Sequence, residues 1–197
     1  MTRTKRERTR ERLIEAAAEV IGERGWLRAS LEQIAARAGM TRGAIYGNFK
    51  NREALFLAVV QARWKPVIPP LAPGDTFRQY MEKLGPAVAS AAAARRPQAA
   101  AALSFQLYAL TNHELRSQVS KVNAELYRRG AERLREVFPP EELPLPPDQL
   151  VRVLHGLTDG LTFLSFLTPE LITSEVLSAA FLALAGGAAG QKKTGRE

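Results

Sequence analysis

The side chains able to do chemistry in this 197-residue chain are few in kind and crowded at one end. There is no cysteine, and the two histidines, His113 and His155, have no thiol to join them. Thiolate chemistry, disulfides and a zinc site of the usual kind are excluded. The sequence holds no Gly-x-Ser-x-Gly elbow, phosphate loop, dinucleotide fingerprint or metal cluster, so no catalytic residue, cofactor or metal is expected. What is abundant is positive charge. The formal net charge is +8, and residues 1–65 carry 14 Lys and Arg against 7 Asp and Glu, while residues 66–197 carry 14 against 13. A cationic excess confined to one third of the chain suits a polyanion, with a solvated basic face as the plainer reading.

Spacing within that third narrows the choice. Counted from Leu31, a small residue falls fifth (Ala35), glycine ninth (Gly39) and a β-branched apolar residue fifteenth (Ile45). Ala35 lets two helices cross closely. Gly39 takes the left-handed turn that ends the first, Met40 turns inward, Thr41 caps the second, and Ile45 locks the second onto the first. This is the helix-turn-helix arrangement, whose second helix enters a major groove. A structural helical hairpin shares the pattern.

The elements that must hold this segment are helical throughout. Residues 9–24 place Leu13, Ala17, Val20 and Ile21 on one stripe, with Gly25 as stop. Residues 31–38 and 42–48 form the motif, and Asn51 caps a fourth helix that ends before Pro66. Residues 66–74 hold four prolines and a glycine and break the chain. Further helices are predicted over 75–93, 97–112, 114–137, about 148–167 and about 174–185, with a proline-rich loop at 139–147. The expected fold is all-α, with about nine helices. A three-helix DNA-binding domain over 1–65 (helix-turn-helix about 31–48) precedes a larger helical domain over 66–190. A flexible tail follows at 191–197. No signal-peptide core follows the basic start, and the apolar run 176–190 is too short to span a bilayer, so a cytoplasmic protein with no membrane partner is expected.

Residues 10–63 resemble the DNA-binding domain of the TetR family of bacterial transcriptional regulators. The resemblance rests on Ile14-Glu-Ala-Ala17, Gly25, the run from Gln33 to Tyr46, Phe49 and Arg52-Glu53-Ala54-Leu55. Four positions depart from the family's usual residues: Ser30 for threonine, Asn48 for histidine, Lys50 where proline is frequent, and Arg52 for lysine. The resemblance implies that Arg42, Gly43, Ala44 and Gln33 face bases. Arg42 would reach guanine O6 and N7, and the Ala44 methyl a thymine methyl. Ser30, Thr41, Tyr46, Asn48 and Lys50 would hold phosphates; a core place for Tyr46 and a phosphate role for Arg42 stay open. Arg3, Lys5, Arg6, Arg8 and Arg10 read as a flexible basic arm, adding salt-dependent affinity or merely solvated.

One short reading helix spans too few base pairs, so a symmetric dimer on a palindromic operator is expected. Gly156, Leu157, Gly160, Leu161, Leu164, Leu177, Phe181 and Leu184 are the candidate dimer face, against an ordinary intramolecular core. The family implies an effector pocket in the middle helices. Phe105, Tyr108, Thr111, Asn112, His113, Thr158, Asp159 and Thr162 are its candidate lining, and a small, mainly apolar molecule its candidate occupant. The expected function is a ligand-responsive, homodimeric repressor, with an activator or a non-specific architectural DNA binder as alternatives and an enzyme not expected.

Overall fold

The first helix starts where a local side-chain exchange allows it. The Thr4 hydroxyl accepts from the Glu7 amide, and the Glu7 carboxylate accepts from the Thr4 amide at 2.6 Å. This capping box satisfies two amides that a helix start leaves unpaired. Helix α1 therefore runs Lys5–Arg24. Lys5, Arg6, Arg8 and Arg10 are helical, which corrects the expectation of a flexible arm. The structure, a computed structural model, describes residues 4–72 and 74–186; Arg3 and the expected tail at 191–197 lie outside them.

The remaining helices are α2 (Leu31–Ala38), α3 (Arg42–Tyr46), α4 (Arg52–Arg63), α5 (Phe77–Arg95), α6 (Ala99–Thr111), α7 (His113–Val137), α8 (Pro147–Leu167) and α9 (Ser174–Gly186). Among the described residues there is no strand, so the fold is all-α as expected. The chain forms two compact units. The first joins residues 1–65 to residues 98–122, and the second joins 66–97 to the chain beyond Asn123. The break at Pro66 is thus one edge of the first unit, but α6 and the first turns of α7 also belong to it.

In the first unit α1 packs on α2 and α4, and α2 on α3. Leu13, Ala17, Val20, Ile34, Ile45, Leu55 and Phe56 are buried there together with Phe105, Tyr108 and Leu115 from α6 and α7. Trp26 joins the two groups. Its ring lies 5.3 Å from Phe56 and 4.8 Å from Phe105, and its indole N–H donates to the Ala101 carbonyl at 2.6 Å.

In the second unit α5 packs on α9 and α8, around Phe77, Met81, Leu84, Val88, Leu134, Phe138, Leu150, Leu177 and Phe181. Any Cβ on Gly85 would stand 2.7 Å from the Ser178 Cα, so the α5 and α9 backbones touch at a point only glycine permits. Leu177 and Phe181 are 3% and 0% exposed, which corrects their assignment to a dimer face: they fill their own unit's core. The stretch Pro140–Leu167 is long and apolar enough to cross a bilayer by length and composition, with a mean hydropathy of 1.3 over its best window.

Candidate nucleic-acid interface

The reading segment is assembled by caps. Ser30 accepts from the Gln33 amide through Oγ, and Gln33 Oε1 accepts from the Ser30 amide at 3.1 Å, so α2 opens on a second capping box. Gly39 ends α2 at φ 62°, ψ 38°, a left-handed conformation that costs a side-chain-bearing residue about 1 kcal/mol or more. Thr41 then caps α3 by accepting from the Ala44 amide. Ile45 is fully buried and Met40 packs against the same core, so α3 is held on α2 by its inner face alone.

The outer face stays open. Arg42, Gly43, Tyr46 and Lys50 are exposed and Ala44 is half-buried. Tyr46 is 51% exposed, which removes a core role. Arg42 donates to the Tyr46 hydroxyl at 3.2 Å, its guanidinium lies 5.8 Å from the Tyr46 ring centre, and it pairs with Glu32 at 2.6 Å. The Tyr46 hydrogen bond, then the Glu32 charge, hold the Arg42 guanidinium more firmly protonated than usual. Both partners of the Glu32 pair are more than half exposed, so the pair orients Arg42 without binding it strongly. Asn48 donates from Nδ2 to the Ala44 carbonyl at 2.8 Å, which leaves one amide hydrogen for another acceptor, and its Oδ1 is buried without a partner.

One neighbour was not singled out by spacing. The Arg10 guanidinium lies 4.5 Å from the Phe49 ring centre, and its Nη1 is buried without a hydrogen-bond partner. The apolar period of α1 hides this role, because Arg10 stands one turn before Leu13 on the stripe that faces the core. Nearby, Arg12 donates to the Ala38 carbonyl at 2.8 Å and so ties α1 to the end of α2.

The expected pocket residues separate. Phe105, Tyr108, Thr111, Asn112 and His113 belong to the first unit, and Thr158, Asp159 and Thr162 to the second. Phe105 and Tyr108 are core. Thr111 donates to the Leu107 carbonyl, Asn112 accepts from the Leu115 amide as the cap of α7, and His113 is exposed. These five are corrected from pocket lining to core, cap and surface. In the second unit Thr158 donates to the Leu154 carbonyl and Thr162 is 3% exposed. Asp159 lies 3.3 Å from His155 Nε2, while His155 Nδ1 shares a 2.8 Å hydrogen bond with the Tyr127 hydroxyl. The Asp159 carboxylate raises the His155 pKa above its ordinary value, against burial.

The dimer candidates also divide. Gly156 and Gly160 face open space, with no atom beyond their own stretch of helix within 4 Å of the point where a methyl group would stand, and Leu164 is 48% exposed. Leu157, Leu161 and Leu184 are half-buried. Val153, Leu167, Leu171 and Val176 extend the uncovered apolar surface.

Residues 13–59 match the family model of bacterial regulatory proteins, tetR family. The transcriptional regulator SrpR of Pseudomonas putida is 42% identical over 66 residues, which are 34% of this chain and 31% of that protein. The match thus spans about a third of the length of that relative. The solved structure of GusR from Salmonella enterica aligns with TM-score 0.68 at 18% identity, over 93% of this chain and 98% of that one. FadR of Bacillus subtilis, solved with stearoyl-CoA, aligns with TM-score 0.61 at 20% identity, over 90% and 98%. The structural matches share the all-helical fold over 90% or more of the chain, and the sequence matches are confined to the helix-turn-helix region: residues 13–59 carry the DNA-binding segment typical of the TetR family.

Proposed function

We propose that this chain is a homodimeric, sequence-specific DNA-binding repressor, released from a palindromic operator by a small, mainly apolar effector. The observation that carries the reading is α3, fastened by buried Ile45 while Arg42, Gly43 and Tyr46 stand outward on a unit with excess positive charge. Arg42 to Ala44 and Gln33 meet base edges. Ser30, Thr41, Tyr46, Lys50 and the second Asn48 amide hydrogen meet phosphates, and Arg10 joins them. No catalytic role is assigned, and the compartment is the cytoplasm, where the DNA is.

The dimer reading rests on α8. Leu164 and Leu167 are 48% and 67% exposed, beside Gly156 and Gly160, whose missing side chains let another helix approach. Covering the exposed part of such leucines stabilises an association by roughly 1–2 kcal/mol each. The same helix carries Asp148, Arg152, His155 and Asp159, charged or polar groups that suit a protein partner better than a bilayer. Leu164→Glu should therefore weaken self-association by about 100-fold or more, since it buries an unpaired charge. Sedimentation over a concentration series checks this; an unchanged dimer constant removes α8 from the interface.

For the effector, the second unit has an open cleft of about 290 Å³, bordered by Ala89, Ala92, Ser165, Phe166, Ile172 and Leu177. That is at the small end of the ~300–1,000 Å³ common for ligand pockets, so the ligand-bound conformer must be wider. FadR of Bacillus subtilis holds stearoyl-CoA in its structure, which supports an apolar effector. The effector's greater affinity for a conformer with misplaced reading heads drives release.

Selection of bound duplexes from a random pool at about 0.15 M salt tests the reading. A palindrome with half-sites about one helical turn apart is the expected product. Retention without sequence enrichment would establish a non-specific architectural binder instead. Repressor and activator are separated by placing the selected site before a reporter gene.

A further inference from the structure

Arg52 stands at the start of α4, not on the reading face, yet its guanidinium reaches the turn before α2. Nη2 donates to the Trp26 carbonyl at 2.5 Å and to the Ala29 carbonyl at 3.0 Å, and Nε donates to Ala29 again at 3.2 Å. Nη2 also lies 3.3 Å from the Leu27 carbonyl. These turn carbonyls sit between α1 and α2, outside the hydrogen-bond ladder of either helix.

A second group fixes Arg52 in turn. Its Nη1 donates to the Tyr108 hydroxyl at 2.8 Å, and that hydroxyl donates to Glu53 Oε1 at 3.0 Å. The guanidinium stacks 4.4 Å from the Phe56 ring centre and 5.5 Å from that of Tyr108. Tyr108 is 7% exposed, so these bonds form largely out of water, where a hydroxyl is costly to leave unpaired. Burial pushes the Tyr108 hydroxyl pKa up, which keeps its proton for Glu53.

The consequence falls on one peptide. The Ala29–Ser30 unit has its carbonyl held by Arg52 and its N–H held by Gln33 Oε1. Ser30 and Gln33 are residues assigned above to DNA. We infer that Tyr108 is a positioning residue for DNA reading. Its hydroxyl, in α6, orients Arg52, and Arg52 sets the peptide that places Ser30 and Gln33 on the DNA. The inference rests on the DNA-reading function proposed above, and every residue in the chain of contacts lies in the first unit.

The test uses full-length protein and the duplex selected by the wild type. Tyr108→Phe keeps the ring and deletes the hydroxyl. Its affinity should fall about 5- to 10-fold, and the Ser30 and Gln33 amides should exchange with solvent several-fold faster. In an Arg52→Lys background the same change should cost less than about 2-fold, because an ammonium cannot fork to the turn and the tyrosine together. Glu53→Gln, which still accepts from the hydroxyl, should retain wild-type affinity. Phe105→Leu lowers stability in the same core without touching these bonds and should leave affinity within about 2-fold. An equal loss in Phe105→Leu, an equal Tyr108→Phe effect in both backgrounds, or unchanged exchange at Ser30 and Gln33 overturns the inference. The exchange measurement needs no DNA. If the wild type selects no sequence but exchange at Ser30 and Gln33 responds, the DNA-reading function fails while the Tyr108–Arg52 linkage stands as a purely structural one, and the positioning role is overturned.

Discussion

With α3 reading bases as proposed, Arg42→Ala should lower affinity for the selected duplex by about 10- to 100-fold for each half-site, the worth of a bidentate contact to guanine. The loss is confined to sequence reading, because the Arg42 side chain is 54% exposed and its pair with Glu32 is also exposed. Thermal unfolding should hardly change. In a repeated selection the variant should relax preference at one base position in each half-site, while Tyr46→Ala should weaken binding evenly across sequences and flatten the salt dependence. The comparison separates base contact from phosphate contact. Glu32→Ala serves as the control: it removes the exposed partner of Arg42 and leaves the guanidinium in place. An Arg42→Ala protein that binds with wild-type affinity and selects the same sequences would show that α3 does not read bases.

Phe181→Ala should produce the largest stability change, about 3–5 kcal/mol. The ring is fully buried among the side chains that include Phe77, Met81 and Leu84, in the core that α5 and α9 build. A loss of that size is a large part of the ~5–15 kcal/mol that holds a domain folded. Phe181→Leu, a smaller deletion, is the companion variant should the alanine form not fold. Urea unfolding at several protein concentrations is the measurement. A core residue lowers the midpoint alike at every concentration, whereas an interface residue acts through the dimer and its effect changes with concentration. A Phe181→Leu protein with the wild-type midpoint at high dilution would return Phe181 to the subunit interface. Leu164→Glu is expected to behave in the opposite way, because Leu164 is 48% exposed in the single chain.

These two residues also mark how far the sequence can be read. Ile45, Gly39 and Thr41 announced their places through spacing, since a turn and two helix ends are decided within a few residues of each other. The start of α1 was equally local: Thr4 and Glu7 carry the signal of a capping box, but the density of basic residues around them drew attention to charge. Leu164 and Phe181 are both apolar residues at helical spacing. Periodicity says that each has a buried or buriable side and nothing about which surface covers it. The same limit applied to Tyr108 and Asn112. A ring, a hydroxyl and an amide in one helix look like pocket lining, and only the fold shows the hydroxyl joined to Arg52, 56 positions away, and the amide at the cap of α7.

The residues expected to face DNA came from the family resemblance, whereas the sequence pattern by itself determined the all-helical class and the pair of short helices around Gly39. Those features follow from helical period, caps and charge, which act between near neighbours. Tertiary structure alone decided that residues 98–122 join the first unit, that Leu177 and Phe181 fill a core, and that Arg52 and Tyr108 hold the turn before α2. Each of those depends on packing between segments far apart in the chain, where an apolar or polar side chain carries no mark of its partner until the chain has folded.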